Sequence, residues 1–190
     1  MAAFTQDEPA GDAGPQGGAS TLEGLRARTL AWLREEAGRQ TRFRELAQAV
    51  CSRLCREFPH YSWVGVYMVE GDRLKLWAWD GPEPTQHVEI PLNAGLCGWA
   101  ASTGQVANVP DVRKDPRYLQ CFVSCRSEIV VPIARDGKVY GEIDIDSDRL
   151  AAFSADDEQF LKAVCAILAE RAAADAEVRA VGGRTTGRPA

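Results

Sequence analysis

Basic charge is in short supply. The chain of 190 residues carries 22 Lys and Arg against 27 Asp and Glu, for a net charge of −5 and a pI near 5.2. The clustered positive field that a nucleic-acid surface needs is therefore missing. No apolar run approaches the roughly 18–20 residues required to cross a bilayer. The opening stretch, MAAFTQDEPAGDAGPQGGAS, is acidic and rich in Gly, Pro and Ala, without the basic segment and apolar core of a signal peptide. These absences point to a cytoplasmic chain, in which the six cysteines stay reduced unless a catalytic cycle oxidises them. A C-x2-C knuckle is absent as well. His87, Cys97, Cys121 and Cys125 would form a Cys3His zinc set only if the fold gathered them, so neither a metal nor any other cofactor is expected.

What is present divides into tails and one domain. Residues 1–20 and 178–190 read as disordered tails with little to bury. Residues 21–177 read as a single α+β domain with room for a real core. Its helical N-terminal segment covers 21–58, broken near Gly38, and Phe43, Leu46, Val50 and Leu54 recur at helical spacing along one face. The strands SWVGVYMV (62–69) and RLKLWAW (73–79) flank EGD and predict a hairpin. HVEIPL (87–92) predicts a third strand, AGLCGWAASTG (94–104) a short helix, and QVANVP (105–110) a further strand. EIVVPIA and KVYGEIDID surround Asp136-Gly137, a strong hairpin signal. Ser154 caps a last helix with acids in its first turn. The economical packing is an antiparallel sheet with the N- and C-terminal helices on one face and the loops around 80–87 and 110–127 on the other, where a ligand would sit.

Three features of that loop face carry chemistry. Strand alternation in YGEIDIDS puts Ile143 and Ile145 on one side and Glu142, Asp144 and Asp146 on the other, with Glu128 able to join them from the partner strand. Covered by loops, such a floor suits an ammonium group or keeps a carboxyl protonated; left open, it is only a solvated strand. Trp63 and Tyr67, four apart on a strand, share a face and could wall an apolar pocket. Cys51 and Cys165 fall on apolar helix faces and read as core residues, and Cys55 lies at the edge of such a face. Cys97, between glycines at a short helix, is placed where backbone amides favour a thiolate. Cys121 and Cys125 lie in the polar loop before the Glu128 strand.

The strings HVEIPLNAGLCGWAASTG, NVPDVRKDPRYLQC, SEIVVP and GEIDIDS, over about residues 40–172, resemble the GAF domain. More narrowly they resemble the free methionine-(R)-sulfoxide reductases, stand-alone GAF proteins. The GxCG cysteine and a second cysteine twenty-four positions later make the match specific. The resemblance implies Cys121 as the attacking thiol and Cys97 as the resolving one. It assigns Glu128, Asp144 and Asp146 to substrate binding, and Trp63 and Tyr67 to the pocket wall. It implies free methionine sulfoxide as substrate, a thioredoxin-type reductant as partner, no membrane or nucleic-acid partner, and a second copy of the chain as a candidate dimer partner. His87 departs from the family, which commonly has a further cysteine there, and Cys125 has no family counterpart; both are auxiliary candidates. The alternative is a GAF module that binds a small ligand without thiol chemistry.

Overall fold

The computed structural model describes residues 17–39, 42–175, 178 and 180. The tails expected at both ends fall outside that set, apart from the helical backbone of 17–20 and residues 178 and 180. The helical N-terminal segment is two helices, α1 (Gly17–Gly38) and α2 (Phe43–Glu57), separated just beyond Gly38. The strands are β1 (Trp63–Glu70), β2 (Arg73–Asp80), β3 (Glu89–Pro91), β4 (Ala107–Val109), β5 (Ser127–Arg135) and β6 (Lys138–Ser147). Helix α3 (Gly95–Thr103) lies between β3 and β4, and α4 (Ala155–Ala174) ends the domain.

All six strands pair antiparallel in one sheet, in the order β3-β2-β1-β6-β5-β4. The two tight hairpins form where the turn signals stand. Asp136 and Gly137 both take positive φ (51° and 76°), the conformation a two-residue turn needs to match strand twist. β3 and β4 are three residues each, shorter than their apolar strings suggest. Ser154 accepts from the Asp157 backbone while the Asp157 side chain accepts from the Ser154 N–H, closing a capping box at the start of α4.

Strand alternation sorts the sheet into two unlike faces. Val64, Val66, Met68, Ile129, Val131, Ile133, Ile143 and Ile145 turn to the side covered by α2, α4 and, outside them, α1. There Phe43, Leu46, Val50 and Leu54 of α2 meet Phe160, Leu161, Val164 and Leu168 of α4, with Cys51 and Cys165 as small core members. Each such side chain contributes about 1.5–3 kcal/mol when fully buried. The opposite face carries a smaller core, in which Leu74, Ile90, Leu96, Ala100, Val109, Val112 and Val130 pack beneath α3 and the loops. Gly98 lets α3 sit close to the chain before it, because a Cβ there would meet the Pro91 carbonyl oxygen at 2.7 Å. That approach fixes the neighbouring Cys97 over the sheet.

Candidate active site

Four carboxyl groups lie in register on the loop face. Asp146 of β6 faces Glu128 of β5 and Trp63 of β1; Asp144 faces Val130 and Gly65; Glu142 faces Pro132 and Tyr67. The loops do cover this floor: Glu128, Glu142, Asp144 and Asp146 are 3%, 0%, 1% and 2% exposed. No hydrogen bond forms to either oxygen of Glu142, to Oδ1 of Asp144 or to Oδ2 of Asp146. Buried polar atoms in folded proteins rarely go unpaired, so an arrangement with four orphaned oxygens is one that a ligand would complete. Burial, and then the charge of the neighbouring acids, pushes Glu128, Glu142 and Asp144 well above the usual carboxyl range. Asp146 is pushed up by burial to only about 6, because the Cys125 thiol bonds to it.

Two of the thiols face this floor from different elements. Cys97 is buried at the start of α3. Its thiol is held far above its ordinary value by burial and by Asp144, Glu142 and Glu128. The expected thiolate-favouring helix start is thus overridden: α3 turns Cys97 down into a buried floor of acids, and burial first, the acids second, outweigh a few backbone dipoles at its own end. Cys121 is half-buried in the loop above and hydrogen-bonds to the Leu119 carbonyl at 3.4 Å. Burial raises it too, followed by Asp144 and Asp146. Cys125 is buried and donates to Asp146 Oδ1 at 2.9 Å, so it is tied to an acid of the floor.

Aromatic groups close the site. Trp63 stacks on Trp79 (ring centroids 6.3 Å apart, 14° between planes) and lies 5.7 Å from Phe122 of the cysteine loop. Gly65 and Gly81 make room for its indole, since a Cβ at either would come within 2.3–2.4 Å of the ring. The Trp63 Nε1–H is buried without an acceptor, a donor aimed at whatever the pocket takes. Tyr67 is fully buried and donates to the His87 carbonyl at 2.9 Å. His87 Nε2 in turn reaches the Gln120 carbonyl at 3.1 Å, one residue before Cys121. A chain of contacts thus runs from the pocket wall through His87 to the Cys121 loop, a role its place at a strand edge did not reveal. The cleft left between Trp63, Pro82, Phe122, Cys125 and Asp146 is about 20 Å³, enough for about one water. That cleft is too small for an amino-acid-sized ligand as it stands.

Every expected site residue lies at this face, but not as the zinc set. Cys125 belongs to Asp146 and His87 to Gln120. Among the described residues, the thiol, imidazole and carboxylate groups whose ligand atoms converge are Cys97, Glu128 and Asp144, all within 4.8 Å of one another. Glu142 was legible as a strand acid but carried no family role; its register opposite Tyr67 and its contact with Cys97 place it in the site.

The GAF domain family model matches residues 42–172. A solved type II free methionine-R-sulfoxide reductase from Thermoplasma acidophilum is 43% identical, with 78% of this chain covering 96% of that one at a TM-score of 0.67. The free methionine-R-sulfoxide reductase of Neisseria meningitidis, solved with its substrate, is 32% identical, with 79% of this chain covering 89% of it at a TM-score of 0.73. The free methionine-R-sulfoxide reductase of Escherichia coli is 35% identical over 107 residues, 56% of this chain and 64% of its own length.

Proposed function

The chain belongs to the GAF domain family, in the branch of the free methionine-R-sulfoxide reductases, and from that premise we propose that it reduces free L-methionine-(R)-sulfoxide through a Cys121–Cys97 cycle. The observation that carries this reading is the meeting of two thiols from separate elements over one covered floor of carboxyls. A buried carboxyl set that no cation among the described residues pairs with suits the free α-ammonium of an amino acid, which a peptide-bound methionine does not have. The entering ammonium also offsets the influence of the acids, which adds to burial in keeping both thiols protonated.

The chemistry then follows from protonation states. Sulfoxide oxygen leaves poorly until protonated, and a carboxyl with a raised pKa remains an acid at neutral pH. Glu128 and Asp144 are such groups, and we assign the ammonium to Asp146, whose carboxyl is pushed up to about 6. Cys121 attacks the sulfoxide sulfur as the oxygen takes a proton. A Cys121–sulfur bond forms and the twice-protonated oxygen leaves as water with the S–O electron pair; water then adds to the Cys121 sulfur, the S–S bond breaks with its pair on the methionine sulfur, and Cys121 is left as a sulfenic acid. The Cys97 thiol then displaces water and closes a disulfide. An external thioredoxin-type dithiol restores both thiols by exchange, with no metal or organic cofactor. The chain has the composition of a cytoplasmic protein, and a second copy of it remains a candidate partner. No described helix is long and apolar enough to cross a membrane.

The test is substrate choice. With dithiothreitol or thioredoxin, the protein should turn over the free (R)-sulfoxide and leave the (S) form and peptide-bound sulfoxide untouched. Equal turnover of a peptide sulfoxide would refute the role given to the acids. Six free thiols after excess substrate would move the reading to a ligand-binding GAF module.

A further inference from the structure

We infer that the reduced protein holds a site for a thiophilic divalent cation of the zinc class, formed by Cys97 of α3, Glu128 of β5 and Asp144 of β6, and that the bound ion is a reversible brake on the site. One ligand atom from each residue lies within 4.8 Å of the other two, and the three residues are 5%, 3% and 1% exposed. Zinc bonds of about 2.0–2.3 Å in a tetrahedron set ligand atoms about 3.3–3.8 Å apart. Side-chain shifts of about 1 Å therefore close the set around an ion. This trio differs from the Cys3His set considered on sequence alone, sharing only Cys97 with it.

An acidic cluster alone would not justify a site, and a separate residue supplies the further support. Glu142, outside the trio, is fully buried, and both its oxygens lack a hydrogen bond while it lies against Cys97. Asp144 Oδ1 is orphaned in the same way. Among the described residues no ion pair reaches any of the four acids. The floor is thus a concentration of acceptors without a cation. The donor set selects the metal: one thiolate with two carboxylates fits a borderline-soft ion, whereas calcium wants six to eight oxygens and magnesium a wet octahedron. Such an ion turns Cys97 from a protonated thiol into a bound thiolate, unable to reach Cys121, and occupies the place of the substrate ammonium.

The site stands independently of the reductase reading; the brake rests on it. Cobalt(II), added to the reduced full-length protein without oxygen, is the probe. We expect a near-ultraviolet thiolate-to-cobalt band that is lost in Cys97→Ser and kept in Cys121→Ser, and at least a tenfold weaker affinity in Glu128→Gln. Zinc should also slow alkylation of Cys97 at least tenfold, mapped by mass, while leaving Cys121 accessible. Absence of the band, or its survival in Cys97→Ser, overturns the site. In turnover, zinc should raise the apparent KM for the sulfoxide without lowering kcat, and a chelator should reverse it. Unchanged kinetics beside an intact cobalt band would overturn the brake alone. A chelated protein with no turnover at all would refute the reductase reading and leave the cobalt result as it stands.

Discussion

The two faces of the sheet are built from the same two neighbouring strands, β5 and β6, and answer opposite demands. On the helix side, Ile129, Val131, Ile143 and Ile145 bury nothing that needs a partner. One residue along, on the loop side, Glu128, Glu142, Asp144 and Asp146 bury four carboxyl groups, four of whose oxygens lack a hydrogen bond, together with an indole N–H that lacks an acceptor. Burying a polar group without its hydrogen bond costs about 1–3 kcal/mol on protein mutational scales. The helix face therefore holds the fold together, and the loop face is held in place by it against its own preference. A stable core adjoining a strained polar site is the expected division of labour where function costs stability.

That contrast can be broken in four ways. The largest effect should come from the thiols. Cys121→Ser should release no methionine, even in a single turnover. Cys97→Ser should release about one per chain and then recycle poorly with thioredoxin; quantifying methionine against protein distinguishes them. Full turnover by Cys121→Ser would move the attack to Cys97 or Cys125. Next comes the helix face: Ile145→Ala, leaving a cavity, should lower unfolding stability by about 2–5 kcal/mol in urea, with little change in the KM of what remains folded.

The acids should behave inversely. Asp144→Asn, by removing a proton donor, is expected to lower kcat about a hundredfold while stabilising the fold by about 1–3 kcal/mol at pH 8. The sign follows from the raised folded-state values. A carboxyl that binds its proton more tightly when folded contributes its full stability below the unfolded value near 4, and loses it as pH rises through the folded value. For Asp146 that window runs from about 4 to about 6. Urea midpoints at pH 4.5 and pH 8 should therefore show the advantage of Asp144→Asn shrinking at the lower pH. An advantage that is constant with pH would mean the buried acids are not the source of strain. The smallest effect belongs to His87→Ala. It removes one hydrogen bond to the Cys121 loop, worth about 0.5–1.5 kcal/mol, and should lower kcat/KM about two- to tenfold while speeding alkylation of Cys121.

Much of this was legible from residue order. Alternation in GEIDIDS assigned each side chain to its face, and Asp136-Gly137 marked the hairpin that brings Glu128 opposite Asp146. What escaped were properties that depend on distant parts of the chain meeting. The glycines around Cys97 suggested a thiol activated by backbone amides, but whether a short helix turns its first residues outward or into a sheet is decided by packing against Pro91 and Leu92. His87 offered no local sign that its imidazole would reach the carbonyl of Gln120, thirty-three residues on. Nor does any string state that Phe122 closes over Trp63 and leaves room for little more than a water.

The paired indoles of Trp63 and Trp79 have a spectroscopic consequence. Two nearly parallel chromophores at 6.3 Å couple their ultraviolet transitions, which splits the band into a circular-dichroism couplet. One member of the pair is the pocket wall itself, with Phe122 of the cysteine loop against it. A ligand that moves that loop takes Phe122 from the Trp63 ring, and the couplet should change as the site fills. The protein thus carries an optical gauge of its own occupancy, readable in stopped flow without a label.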